Sequence, residues 1–317
     1  MTTTFGFTTT ADEACEALKN NITGKTIIVT GVSPNSIGAD TARAIVAQRP
    51  AQLILASKTE SKLHNVIKSL QIPVGTTVRP LVLDLGSLEA VRMASAQVSS
   101  WVKAIDAAIF TAGVMAVPQY TESEDGIELH FAINHLGHFL FANLVIDKLL
   151  AGDATVVNYS SEAHQRANPG FLDDLTYDNG KGYDKWAAYD NSKLCNIAFS
   201  VGLVQHFGER KLRSFAVDPG VILTSALTRS GVPQEDFFNK GWVDEKGNLN
   251  TAIVPKSLAQ GSLTGIIAAF DRTLSNDKGY YMVDGAITGD GLLPAAVEPA
   301  LAQKLWKISK KLVKQDF

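Results

Sequence analysis

The chain has 317 residues, 45% hydrophobic and 19% charged, with a formal net charge of −3. That length and apolar content suit one large α/β domain with a generous core, and the slight acidity excludes a general binder of nucleic acid or of membrane surfaces. Two cysteines far apart in sequence, Cys15 and Cys195, exclude a disulfide framework and fit buried reduced thiols in a cytoplasmic protein.

Met1 to Phe7 carry neither a basic region nor a long apolar run, so no secretory signal is expected. Residues 1–22 read as an added arm. In it, Thr10-Ala11-Asp12-Glu13 fits a capping box and sets a short helix over Ala11 to Lys19. Residues 23–317 follow as a single domain. Thr26 to Thr30 is a short run rich in β-branched residues, the mark of a buried parallel strand. It ends in Gly31-Val32-Ser33-Pro34-Asn35-Ser36-Ile37-Gly38, and a helical pattern then runs to Arg49, before Pro50. Strand, glycine-bearing turn and helix give the setting in which a dinucleotide pyrophosphate meets a helix N-terminus. Only two of the expected three glycines are present. Asn35 tolerates a left-handed backbone, and Ser36 can donate a hydrogen bond to phosphate. Gly31, Ser33, Ser36, Ile37 and Gly38 are therefore the phosphate candidates; the plainer alternative is an ordinary strand–helix turn.

Gln52 to Ala56 is a second strand, ending at Ser57-Lys58-Thr59. An NAD site wants an acidic residue about twenty positions past the glycines. Lys58 stands there instead. A cation among hydroxyls suits a 2′-phosphate, so NADP is expected over NAD, with Ser57 and Lys58 as contacts. The rhythm continues with a strand from Val78 to Leu83 ending at Asp84-Leu85, a helix from Leu88 to Trp101, and a strand from Ala107 to Thr111 ending at Ala112-Gly113. A long helix from Gly126 to Leu150 carries Asn134. A strand from Thr155 to Tyr159 ends at Ser160-Ser161, one from Ser214 to Val217 ends at Asp218-Pro219-Gly220, and a last one covers Gly279 to Val283. About seven strands alternating with helices predict a Rossmann-type, doubly wound parallel sheet. The polar residues singled out all lie at the C-terminal ends of strands or on helices leaving them, where such sheets bind ligands.

Between the fifth and sixth strands a helix runs from Trp186 to Phe207. Tyr189, Lys193, Ile197 and Val201 share one stripe on it, two polar residues followed by two apolar ones. A tyrosine has a pKa of about 10 and needs a shift of roughly 2–3 units to exchange protons near neutrality. An ammonium one turn away supplies a field of that sign.

Together these residues resemble the short-chain dehydrogenase/reductase family. Thr30-Gly31 to Ile37-Gly38 is similar to its cofactor turn, Ala112-Gly113 to its N-A-G segment, and Pro219-Gly220-Val221-Ile222-Leu223-Thr224 to its P-G-x-x-x-T segment. Asn134, Ser161, Tyr189 and Lys193 resemble its catalytic four. Asn134 to Leu140, Ser160 to His164 and Ala188 to Asn196 are similar to the retinol-dehydrogenase-like and WW-domain-oxidoreductase-like branch, and the ending Leu305-Trp306-Lys307 resembles fungal members. The chain departs from the pattern in a turn one residue longer than usual without its middle glycine, and in Phe110-Thr111 where Asn-Asn is usual.

The resemblance implies an NADP-dependent oxidoreductase acting on a carbonyl or alcohol carbon of a small molecule, in secondary metabolism. Tyr189 is the expected acid or base and Lys193 lowers its pKa and holds the nicotinamide ribose. Ser161 bonds the substrate oxygen and Asn134 positions a relay water. Asp84, Leu85, Ala112, Gly113, Pro219, Val221, Ile222 and Thr224 complete the cofactor contacts. Substrate choice falls to segment 162–185, with Phe171, Tyr177 and Tyr183, and to segment 225–254, with Phe237, Phe238 and Trp242. Aromatics there suggest an apolar or ring-bearing substrate, or merely pin the loops. His130, His135 and His138 match no zinc spacing, so no metal is expected. Residues 298–314 form an amphipathic helix with a basic face, read as docked on the domain rather than on a membrane. A homo-oligomer is left open. The alternatives are a non-catalytic NADP-binding regulator and a reductase of imines or activated double bonds.

Overall fold

Alternate residues of the apolar runs pack on opposite sides of one sheet. Ile27 and Val29 of β1 (Thr26–Thr30) and Leu53 and Leu55 of β2 (Gln52–Ser57) enter one core, while Ile28, Ile54 and Ala56 enter the other. Burial on both faces is why these strands read as continuous apolar runs. The computed structural model describes residues 5–222 and 232–317. The remaining strands are β3 (Thr77–Val82), β4 (Ala107–Phe110), β5 (Thr155–Tyr159), β6 (Arg213–Asp218), β7 (Tyr281–Val283) and β8 (Ala286–Ile287), in the order β3-β2-β1-β4-β5-β6-β7-β8. All neighbours are parallel except β7 and β8.

The eight-stranded sheet exceeds the expected count by β8. Asp284 and Gly285, with φ of 51° and 82°, form the tight turn that returns the chain after β7. An Asp-Gly pair is a hairpin signal.

The main helices are α1 (Ala11–Ala17), α2 (Ile37–Val46), α3 (Glu60–Ser69), α4 (Leu88–Trp101), α5 (Gly137–Leu144), α6 (Lys185–Phe207), α7 (Leu258–Phe270) and α8 (Pro299–Val313). Residues of α1, α2, α3 and α7 build one core, and those of α4, α5, α6 and α8 the other. Thr10 and Glu13 form the reciprocal cap of α1. Helix α8 lays Trp306 against α6, stacked on His206 at 3.9 Å between ring centroids. None of the described helices is long and apolar enough to cross a membrane.

The long helix expected over Gly126 to Leu150 is divided. Gly126 takes φ 72° in a turn, and Glu122 and Glu128 form an antiparallel bridge. The helix starts at Leu129, passes through a π segment (Phe131–Leu136) into α5, stops at Val145, and restarts as Ile146–Ala151. The buried Glu128 carboxylate accepts the N–H groups of His130 and Phe131, which sets this start.

Because β1 lies between β2 and β4, successive connections leave it toward opposite edges of the sheet. A crevice opens at the C-terminal ends of β1 and β4, the expected place for a ligand in such a sheet.

Candidate active site

Crowding at the end of β1 explains both glycines of the first turn. Gly31 has φ 74°, and a Cβ there would lie 2.7 Å from the Ala112 nitrogen and from Thr111 Oγ1. A Cβ on Gly38 would lie 2.7 Å from Thr111 Oγ1 and 2.9 Å from the Gly31 carbonyl oxygen. Asn35 takes φ 58° in place of the missing glycine. Ser36 caps α2 by accepting from Ala39 N–H at 3.0 Å and donates to the Gly31 carbonyl at 3.0 Å, so its hydroxyl proton closes the turn. Thr111 donates to the Thr30 carbonyl at 2.6 Å. Phe110 stacks on His138, whose Nε2 lies 3.0 Å from Thr30 Oγ1. The two departures before Ala112 thus tie β4 to β1.

A cleft of about 660 Å³ runs over these strand ends. Gly31, Ser33, Ser36, Ile37, Ser57, Lys58, Asp84, Leu85, Ala112 and Gly113 line it, as do Ser161, Tyr189, Lys193, Pro219, Val221 and Ile222. Gly38 and Asn134 stand behind the lining, and Thr224 lies outside the described residues. Lys58 pairs with Asp84 at 2.8 Å, although its side chain stays 71% exposed. The N-terminus of α2 opens into the cleft through Ile37, offering free N–H groups and a favourable dipole to an anion. These residues fit a phosphorylated dinucleotide.

The reaction centre is built from α6, the end of β5 and the π segment. Asp184 caps α6 by accepting from Trp186 and Ala187 N–H. Lys193 is 7% exposed and donates to the Tyr159 carbonyl at 2.9 Å, which also accepts from Asn196 at 2.7 Å. Its ammonium lies 5.5 Å from the Tyr189 ring centroid. Burial pulls the Lys193 pKa down to about 8, with the Asp218 charge opposing. Burial also raises the Tyr189 pKa; the Ser161 hydroxyl opposes this, and the charges of Asp218 and Asp190 add to it. Tyr189 is thus protonated at neutral pH, the form that carbonyl reduction consumes. Ser161 accepts from Ala163 N–H at 3.2 Å, starting the 3₁₀ turn Glu162–Arg166. Asn134 spends both amide N–H groups, on the Val114 carbonyl at 2.9 Å and Ser192 Oγ at 2.8 Å, and its oxygen accepts from Val114 N–H at 2.8 Å. It holds the segment after β4 in place.

The apolar wall of the cleft was only partly visible in sequence. Val114, Met115, Val117, Pro118, Trp186 and Trp242 line the cleft. Trp242 stacks on buried Phe237 and meets Trp186 edge-on at 5.6 Å, while Phe238 is exposed. Phe171, Tyr177 and Tyr183 are absent from the lining, because Phe171 packs on Phe131, Tyr177 meets Asn191, and Tyr183 donates to the Val117 carbonyl at 2.7 Å. His130 accepts from Val117 N–H at 3.2 Å and pairs with Glu128. His135 bonds Ser309 of α8. Trp186, Met115, Arg166 and Asp218 also line the site but carry no motif; position relative to Tyr189 was the available signal for Trp186, and a strand end for Asp218.

A nucleotide-binding α/β sheet whose cleft presents a half-buried tyrosine and a buried lysine beside a serine defines a nicotinamide-dependent oxidoreductase. The comparisons agree. The family model described as short chain dehydrogenase matches residues 25–172. Human retinol dehydrogenase 13 is 34% identical over 310 residues, 95% of this chain and 87% of that protein. The short-chain dehydrogenase/reductase prx1 of Penicillium roqueforti is 30% identical over 308 residues, 93% and 86% of the two chains. Among solved structures, an uncharacterised protein from Mycobacterium paratuberculosis is 27% identical with a TM-score of 0.69, covering 93% of this chain and 96% of that one. A short chain dehydrogenase from Escherichia coli CFT073 complexed with NADPH shares the fold at 20% identity and a TM-score of 0.53, over 68% of this chain and 86% of that one. The chain belongs to the short-chain dehydrogenase/reductase family, in its retinol-dehydrogenase-like branch.

Proposed function

We propose that the chain uses NADP to move a hydride between nicotinamide and a carbonyl or alcohol carbon of an apolar or ring-bearing small molecule. One observation carries this reading. A single cleft joins Lys58 and the N-terminus of α2 to Ser161, Tyr189 and Lys193, and gives them a wall of Met115, Trp186 and Trp242. The cofactor supplies the hydride. Tyr189 donates its hydroxyl proton to the substrate oxygen in reduction and recovers it in oxidation. Ser161 hydrogen-bonds the same oxygen where negative charge develops. Lys193 holds the ribose hydroxyls and places a positive field beside Tyr189. Asn134 keeps the wall in register through Val114, and a relay water would address its backbone carbonyl, since both its side-chain N–H groups are bonded.

Lys58 and Ser57 would hold a 2′-phosphate, with Lys58 exchanging Asp84 for it, and Ser33, Ser36 and Ile37 border the pyrophosphate position. Pro219, Val221, Ile222 and Thr224 would fix the nicotinamide face. The apolar wall suits ring-bearing substrates of secondary metabolism, and the buried free thiols Cys15 and Cys195 suit the cytoplasm.

The test is a titration with NADPH and NADH, followed by NADPH oxidation with aromatic, polyketide-like and long-chain ketones and aldehydes. Tighter NADPH binding and turnover of apolar carbonyls are expected. Tight NADPH binding without turnover of carbonyls, imines or activated double bonds would replace the enzyme with a cofactor-binding regulator. Turnover confined to imines or activated double bonds would replace the carbonyl chemistry.

A further inference from the structure

We propose that Lys256 is a positioning residue for the nicotinamide end of the cofactor: it ties the turn Pro219-Gly220-Val221 to the β7–β8 hairpin. This rests on the reading of that turn as the segment bordering the nicotinamide. Pro219, Gly220 and Val221 follow β6 and line the cleft. Lys256 does not line it, and its side chain is only 3% exposed. A lysine that deep in a protein is costly unless its charge is paired and its stem is packed.

Each part of the residue is used. Its backbone N–H donates to the Val221 carbonyl at 2.8 Å. Its stem crosses Gly220, which takes φ 72°, so closely that a Cβ there would lie 2.9 Å from Cδ and 3.1 Å from Cε. Its ammonium donates to Asp284 Oδ1 at the turn between β7 and β8. Phe7 of the N-terminal arm covers the same ammonium, its ring centroid 5.0 Å away.

The hairpin is a firm anchor. Gly285 N–H donates to Thr264 Oγ1 of α7 at 3.2 Å, and a Cβ on Gly285 would lie 2.6 Å from Ile267 Cδ1 and 3.1 Å from Phe5 Cβ. The two ends of the cofactor-facing turn are fixed by other groups. Gly220 N–H donates to Asp218 Oδ1 at 2.8 Å, and Ile222 packs on Gly261 of α7, where a Cβ would overlap Ile222 Cδ1. Lys256 holds the middle from behind, so it reaches the cofactor only through the backbone of Gly220 and Val221.

The test compares NADPH with adenosine 2′,5′-bisphosphate, which carries the 2′-phosphate but no nicotinamide. Both are titrated by calorimetry into full-length wild type, Lys256→Met and Asp284→Asn. Methionine keeps a packed stem without the charge. Asparagine suits the φ of 51° at position 284 and removes the ammonium's charged partner. Each variant should bind NADPH about tenfold more weakly than wild type and the bisphosphate within about twofold. The double variant should lose no more than either single one, because both break the same link. If the wild type takes NADH instead, NADH and ADP-ribose make the same comparison.

Equal weakening of both ligands, or of neither, would overturn the proposal. Asp284→Asn decides the matter if Lys256→Met does not fold. Failure of both to fold would make the pair a stability element alone and also overturn it. A wild type that binds neither NADPH nor NADH would sink the proposed function itself. A wild type that binds its cofactor, beside variants that do not discriminate, would sink this inference alone.

Discussion

Lys193 holds a charge where a charge is costly. Its pKa falls from 10.5 to about 8 on burial, equivalent to about 3 kcal/mol against the ammonium. Between pH 8 and 10.5 the unfolded chain binds more protons at this position than the folded one, so stability from this group rises with pH across that window and is lowest below it. Lys193→Met should lose activity yet melt no lower than the wild type at pH 7, because the Tyr159 carbonyl keeps Asn196 as a donor. Its melting advantage should shrink by pH 9.5. Thermal melts of the two proteins at both pH values check this, and a large loss of stability at pH 7 would show that the ammonium is structurally favourable. The i, i+4 spacing made Tyr189 and Lys193 legible in sequence. The raised Tyr189 pKa was not legible, since it comes from burial and from Asp218 and Asp190, neighbours that the fold supplies.

At the scale of elements, three side chains, two from the helix that starts at Leu129 and one from the insertion 162–185, clamp the wall after β4. Asn134 bonds both backbone groups of Val114, His130 takes the Val117 N–H, and Tyr183 takes the Val117 carbonyl. The insertion 162–185 thus props the wall through Tyr183, while its first residues, Glu162, Ala163 and Arg166, line the cleft. Tyr183→Phe should cost about 1 kcal/mol of stability and raise KM for apolar substrates more than it lowers kcat, as steady-state kinetics and urea melts would show. Helix α8 is held as closely. A Cβ on Gly202 would lie 2.9 Å from the Trp306 ring. Gly202→Val should therefore destabilise the protein by about 1–3 kcal/mol, read as a lower urea midpoint. Strands were legible because two-sided burial makes apolar runs. The division of the helix carrying Asn134 was not, because it depends on Glu128 capping from a bridge with Glu122. Helices α3 and α7 were likewise unread, although Ser257 and Gln260 form a capping box before α7.

At the scale of the molecule, the sheet order brings the C-terminal ends of β1 to β6 to one edge, and the proposed preference for NADPH rests on Lys58 at the end of β2. Lys58→Ala should lower the preference for NADPH over NADH by about tenfold, equivalent to roughly 1.4 kcal/mol, checked by fluorescence titration of both cofactors. An unchanged ratio would remove Lys58 from 2′-phosphate recognition. The candidate residues Gly31 to Ile222 could be gathered from the sequence because each sits at a strand end or on a helix, whereas Trp242 entered the cleft only through its packing on Trp186 and Phe237.

The measurement that bears most directly on the whole account is the rate of NADPH-dependent carbonyl reduction by Tyr189→Phe beside the wild type, on the best carbonyl of the panel. Phenylalanine keeps the ring and removes the proton. NADPH affinity is expected within about twofold of wild type and kcat lower by about a hundredfold or more. Undiminished turnover in the variant would contradict it, because the proton would then come from a group other than Tyr189.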